Sequence, residues 1–263
     1  MTIRLTPNRI WQLSYGLSER DLAVVATLSK VRVASVRQLE RVHFPNRPRT
    51  ARRVLGALVE RRLVARLGRT VGGVRAGSAG HIYALDVVGQ SLSQHGGPAH
   101  GSRLRRPWTP GVRFLDHSLA VSEVYVQLVE REREGGFELI QFECEPASWR
   151  QFSPHGAPLT LKPDAFIRLG YPMHEDSYFI EVDRGSESVR TLELKAEIYE
   201  RYWNSGLEQD RHGVFPKVLW LVPDRARAKV LKRALTPGKD QEPAKLHAVA
   251  MFGALNDAIV GSP

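Results

Sequence analysis

Residues 159–203, LTLKPDAFIRLGYPMHEDSYFIEVDRGSESVRTLELKAEIYERYW, constrain the fold more than any other stretch. They predict an extended segment ending at Pro163-Asp164, a second strand over 178–182 and a helix over 188–203. Side chains alternate faces along a strand, so Glu181 and Asp183 point one way while Ile180 and Val182 point the other. Two carboxylates on one face of an otherwise apolar strand are costly to hold near a core unless something pairs with them. A divalent cation with oxygen ligands, Mg2+ or Mn2+, answers that cost, with Asp164 supplying a third carboxylate from the neighbouring strand. The alternative is a solvated strand end, with Asp164 capping a turn.

Upstream, the pattern changes from acidic to basic. Residues 1–115 carry 20 lysines and arginines against 5 acids, and the rest carry 18 against 23, within a whole-chain net charge of +10. A basic front half implies a polyanionic partner, and double-stranded DNA is the first candidate. The elements agree. Ser18-Glu19-Arg20-Asp21 opens a helix carrying Leu22, Val25 and Ala26, and a second short helix covers 35–42. A third starts near Arg47-Pro48, with Ala51, Val54, Leu55, Leu58 and Val59 on one face. Arg49, Arg52 and Arg53 lie on the other. Strands at 63–67 and 81–85, joined by a Gly/Arg loop, complete the layout of a winged helix-turn-helix. In that arrangement Arg47, Arg49, Thr50, Arg52 and Arg53 meet the major groove, while Arg66, Arg69 and Arg75 of the wing reach phosphates or the minor groove. Use of the fold for dimerisation is the alternative.

Residues 96–115 are rich in Gly, Pro and Arg and read as a linker between a domain at 1–95 and one at 116–263. The second begins with a helix over 116–134, then strands near 137–143, before Asp164, at 178–182 and at 217–222, with helices from 188 and 225. The expected class is α/β, α+β overall, and the second domain is ordered αβββαβ. The single Cys144 excludes an internal disulfide and fits a reducing cytoplasm, so a cytoplasmic protein is expected. No run approaches the roughly 20 apolar residues of a membrane span.

The spacing Pro163-Asp164…Glu181-x-Asp183, on strands followed by a helix, resembles the PD-(D/E)XK restriction-endonuclease-like superfamily, in which the acids hold Mg2+ beside a scissile phosphate. The blocks RTARRVLGALVERRLVARL, HSLAVSEVYVQLVE, LKPDAFIRLG, FIEVDRGSES, KAEIYERYW and VFPKVLWLVPD further resemble the replication-relaxation family of plasmids and other mobile elements. The resemblance covers roughly residues 17–235 and implies a DNA-handling role in replication, transfer or control of such an element. It implies catalytic roles for Asp164, Glu181, Asp183 and Lys195, and metal binding by Glu123, Asp164, Glu181 and Asp183. Asp183 departs from the superfamily, which usually has lysine there to orient water and stabilise phosphate charge. Lys195 on the next helix, or Lys162, could substitute. Arg184 offers a salt bridge in place of the metal, which would leave a relic site.

The expected function is metal-dependent phosphodiester hydrolysis by a DNA-bound protein. The alternative is a non-catalytic regulator or replication accessory factor whose second domain forms a homodimer or recruits a replication initiator or relaxase. Other chemistries find little support. No histidine pair flanks a single hydrophobic residue as the common relaxase type requires, and Tyr199 and Tyr202 sit at core positions of their helix. No phosphate-cradling glycine loop is present.

Overall fold

A computed structural model describes residues 6–67, 80–95, 111–235 and 246–260. The chain is mixed α/β, α+β overall, and divides into two compact units, Met1–Val126 and Gln127–Pro263.

The first unit contains α1 (Pro7–Ser14), α2 (Glu19–Val31), β1 (Val33–Ser35), α3 (Val36–His43), α4 (Pro48–Glu60), β2 (Val64–Leu67), β3 (Ile82–Leu85) and α5 (Val87–His95). Two capping boxes set its helix starts. The Ser18 hydroxyl accepts from the Asp21 amide at 3.2 Å, and Asp21 accepts from the Ser18 amide at 2.9 Å. Ser35 and Gln38 exchange the same bonds at 3.2 and 2.9 Å at the head of α3. Both satisfy amides that a helix terminus otherwise leaves open.

The buried face of α2 is Val24, Val25, Leu28 and Val31. The sequence placed Leu22, Val25 and Ala26 inward, but Leu22 is half exposed and Ala26 exposed. The helix is rotated because Leu28 and Val31 bury more apolar area than Ala26 or Ser29 could. The expected hairpin gains a third strand, since β1 pairs with β3 and the antiparallel order is β1-β3-β2.

Helix α6 (Val112–Glu134) begins four residues earlier than expected and spans the division between the units. Its N-terminal half belongs to the first. Leu115 packs with Val33, Leu67 and Ile82. The buried Ser122 hydroxyl donates to the Val33 carbonyl at 2.6 Å, and Gln38 donates to the Leu119 carbonyl at 2.9 Å.

The second unit contains β4 (Glu138–Cys144), β5 (Arg150–Phe152), β6 (Leu159–Leu161), β7 (Ala165–Gly170), β8 (Glu175–Val182), α7 (Val189–Asn204), α8 (Leu207–His212), β9 (Lys217–Val222), α9 (Arg225–Ala234), β10 (His247–Met251) and α10 (Leu255–Val260). Five strands form one mixed sheet, ordered β10-β9-β8-β7-β4. Strand β8 sits at its centre, antiparallel to β7 and parallel to β9. One face of the sheet buries Phe166, Phe179, Val218 and Trp220 against Leu192, Ala196, Tyr199 and Tyr202 of α7 and Leu231 of α9.

The segment before Asp164 differs from expectation. β6 pairs with β5 in a separate two-stranded sheet, and Asp164 precedes β7 rather than ending a sheet strand. Pro163 explains the break, because a proline lacks the amide a central ladder needs.

Candidate functional site

The geometry of the second unit centres on the end of β8. Ala165 faces Ile180 across the β7–β8 ladder, so the next position outward sets Asp164 beside Glu181. The bond that fixes it runs from the Val182 amide to Asp164 Oδ2 at 2.7 Å. Asp164, Glu181 and Asp183 are all buried, with Glu181 and Asp183 each 2 % exposed. Three such carboxylates demand compensation, and each finds a different one.

Glu181 is held from α7. The Tyr199 hydroxyl donates to its Oε1 at 2.7 Å and the Lys195 ammonium to its Oε2 at 3.1 Å. Residues 192, 195, 196 and 199 share one helical face, which turns Lys195 and Tyr199 toward the sheet together. Lys195 is shared with Glu187 at 3.0 Å. Burial pushes the Glu181 carboxyl up, and the nearby Asp164 adds to this against the opposing pull of Lys195 and Tyr199. Burial disfavours the Lys195 charge, but Glu181, Asp164 and Glu187 outweigh it and keep the ammonium protonated. The Tyr199 hydroxyl is driven well above its ordinary range by burial and by Glu181, so it serves as a donor.

Asp183 is taken by a different cation. Arg227, from the first turn of α9, grips both its oxygens through Nε and Nη2, and Nη2 also donates to the Glu187 carbonyl at 2.7 Å. The Gly185 amide donates to Asp183 Oδ1 at 2.8 Å, in a turn where Gly185 adopts φ +82. Arg184, considered from sequence for this pairing, is exposed.

The structure therefore brings Asp164, Glu181 and Lys195 together and sets Asp183 against Arg227. Glu123 lies in the first unit, where Arg41 and Gln38 bond its carboxylate. Lys162 is exposed, with its ammonium 4.8 Å from the Trp149 ring centroid. Sequence reasoning took Tyr199 and Tyr202 as core aromatics. Both are buried, but Tyr199 is also a direct partner of Glu181. Arg227 and Glu187 were missed. Helical spacing could have found Tyr199, four residues after Lys195, whereas nothing local announces Arg227, which lies 44 residues from Asp183.

Among the described residues, no group of three or more His, Cys, Asp and Glu is arranged to hold a metal ion. Mg2+, however, is commonly bound through only one or two carboxylates together with substrate phosphates and water. One observation favours such a group here. Glu187 Oε2 is enclosed without a hydrogen-bond partner while its Oε1 holds Lys195. An orphaned carboxylate oxygen, joined to Glu181 only through the shared Lys195, is the kind of acceptor that water or a cation satisfies. That acceptor belongs to Glu187, while Asp164 and Glu181 hold donors from the Val182 amide, Tyr199 and Lys195. Asp183 and Glu123, each facing an arginine, fit a divalent ion less well.

In the first unit, α4 buries Ala51, Leu55 and Leu58, which leaves Arg47, Arg49, Arg52 and Arg53 exposed and Thr50 half-buried. Arg66 on β2 is exposed as well. Among the described residues no carboxylate pairs with these five arginines. Arg69, Arg75 and residues 96–110 of the expected linker lie outside the described residues. No described helix is long and apolar enough to cross a membrane.

A family model described as Replication-relaxation matches residues 25–218, which takes in α4, the β7–β8 pair and all of α7. No curated protein matches the chain.

Proposed function

The chain belongs to the replication-relaxation family, which associates it with replication of mobile elements, and from that premise we propose that it is a double-stranded-DNA-binding protein whose second unit hydrolyses phosphodiesters with a divalent metal. The first unit is then a winged helix-turn-helix. α4 enters the major groove, and its exposed arginines supply phosphate and base contacts. The second unit is a restriction-endonuclease-like domain.

The observation that carries the catalytic reading is the buried convergence of Asp164, Glu181 and Lys195 at the end of the central strand. Mg2+ or Mn2+ held by Asp164 and Glu181 would acidify and position an attacking water and neutralise charge on the phosphate. Lys195 takes the place of the superfamily lysine. Its ammonium, kept protonated by three carboxylates, stabilises negative charge on a bound phosphoryl oxygen. Tyr199 fixes the Glu181 rotamer through its hydroxyl, and the surrounding aromatic layer of Phe179 and Trp220 keeps the site dry.

A second reading has its own support. Every acid on this strand end already holds protein donors, and Arg227 occupies both oxygens of Asp183. That arrangement suits a non-catalytic regulator whose second unit forms a homodimer or recruits a replication initiator or relaxase.

Cleavage of supercoiled plasmid and linear duplex with Mg2+ or Mn2+ separates the two. Nicking or cutting by the wild type that falls at least a hundredfold in both Asp164→Ala and Glu181→Ala establishes the nuclease. Intact DNA with undiminished binding in all three proteins establishes the regulator.

A further inference from the structure

A second site lies in the same unit, on the face of the sheet that carries Glu181. A cleft of about 510 Å3 is lined by Trp149, Arg150, Phe166, Arg168, Ser177 and Arg211, among others. Its size is within the about 300–1,000 Å3 usual for ligand clefts.

Its rim is tied to the candidate centre by the backbone. The Ser148 hydroxyl, fully buried, donates to the Pro163 carbonyl at 2.6 Å, next to Asp164. Arg150 faces Leu161 across the β5–β6 ladder, which brings the preceding Trp149 alongside Lys162. The Lys162 ammonium sits over the Trp149 indole, and the ring is 37 % exposed. An indole with a cation over one face is thus held just upstream of Asp164.

The charges of the cleft are sorted. Arg150 occupies the buried acid Glu208 at 2.9 Å and lies 3.7 Å from Glu143, while its guanidinium caps the Phe166 ring. Glu175 and Asp176 line the cleft as well, Glu175 at 3.7 Å from Arg168 and Asp176 accepting from the Tyr178 hydroxyl at 3.3 Å, and beside these acids the lining offers Arg211 and the enclosed Nε of Arg168, which makes no hydrogen bond. The Ser177 hydroxyl has no partner among the described residues. An aromatic platform, cations beside it and unspent polar groups below match how proteins hold an unstacked base and its phosphate.

We propose that this cleft binds an unpaired nucleotide, so that the nucleic acid recognised by the second unit contains a gap, bulge or single-stranded branch. The base stacks on the face of Trp149 opposite Lys162. Lys162 and Arg211 face the flanking phosphates, and Ser177 and Arg168 meet the edge of the base. The inference rests on the nucleic-acid reading above and adds the structure of the substrate to it.

The test uses the full chain without added metal, on a duplex and on the same duplex with one unpaired 5-iododeoxyuridine. Competition binding should favour the bulged duplex about tenfold, as expected of one stacked base. Trp149→Ala should reduce that ratio to near one, and Trp149→Phe should keep most of it. Irradiation should cross-link the iodinated base to the peptide containing Trp149. Equal affinity of the wild type for both DNAs overturns the inference and leaves the proposed function standing. A preference that survives Trp149→Ala, or a cross-link elsewhere, also overturns it. Failure to bind either DNA removes both readings together.

Discussion

Glu181 shows how a single side chain can couple function to folding. Burial beside Asp164 raises its carboxyl from an ordinary 4.5 to about 8. Between those values the folded chain holds a proton that the unfolded chain has released, so stability from this group is full below 4.5 and lost as pH rises through about 8. Thermal melts of the wild type should decline over that window, and Glu181→Gln should remove the decline. Identical pH profiles for the two proteins would mean that Glu181 is ionised throughout. In the neighbouring Asp183–Arg227 pair each charge is the other's compensation, and removal of one partner of such a buried pair typically costs about 3–5 kcal/mol. At this scale the sequence was partly legible. Strand alternation set Glu181 and Asp183 on one face with Asp164 on the neighbouring strand, whereas Lys195 was singled out by the resemblance and only then placed on the sheet-facing side of its helix by spacing. Arg227 was not legible, because it meets Asp183 only after the chain returns through β9 and α9.

The elements were read more securely than their faces. α4 was legible from Pro48 and its apolar spacing, and the structure buries Ala51, Leu55 and Leu58 of the face expected. α2 was placed well but rotated, since Leu28 and Val31 bury more apolar area than Ala26 or Ser29 could. β1 was invisible, for three residues carry too little periodicity to distinguish a strand from a connection. α4 also carries the DNA-binding prediction. Replacing Arg49, Arg52 and Arg53 with Ala removes three exposed cations, so duplex affinity near physiological salt should fall at least tenfold. The slope of log affinity against log salt should flatten by roughly 2–3, close to one unit for each phosphate that no longer meets an arginine. Unchanged affinity and slope would move recognition to another surface. The helix itself should survive, because its core residues are untouched.

For the molecule as a whole, the informative element is α6. Sequence reasoning assigned it to the second domain because a Gly/Pro/Arg-rich stretch precedes it. The structure divides it instead, since Leu115, Leu119 and Ser122 complete the first unit. A fragment of residues 1–110 therefore lacks part of its own core, while residues 1–134 retain it. Burial of Leu115 alone is worth about 1.5–3 kcal/mol, so the shorter fragment should unfold at clearly lower urea. Equal midpoints would show that the first unit is complete without the helix. The same geometry bears on inheritance. Mobile elements diversify by recombination, and a crossover in residues 96–110 looks harmless because it falls between two patterned regions. It would pair the donor's Val33, Leu67 and Ile82 with a stranger's helix. A workable exchange must carry the recipient's front end through the middle of α6, so the junction that recombination can use lies inside a helix and not in the stretch that precedes it.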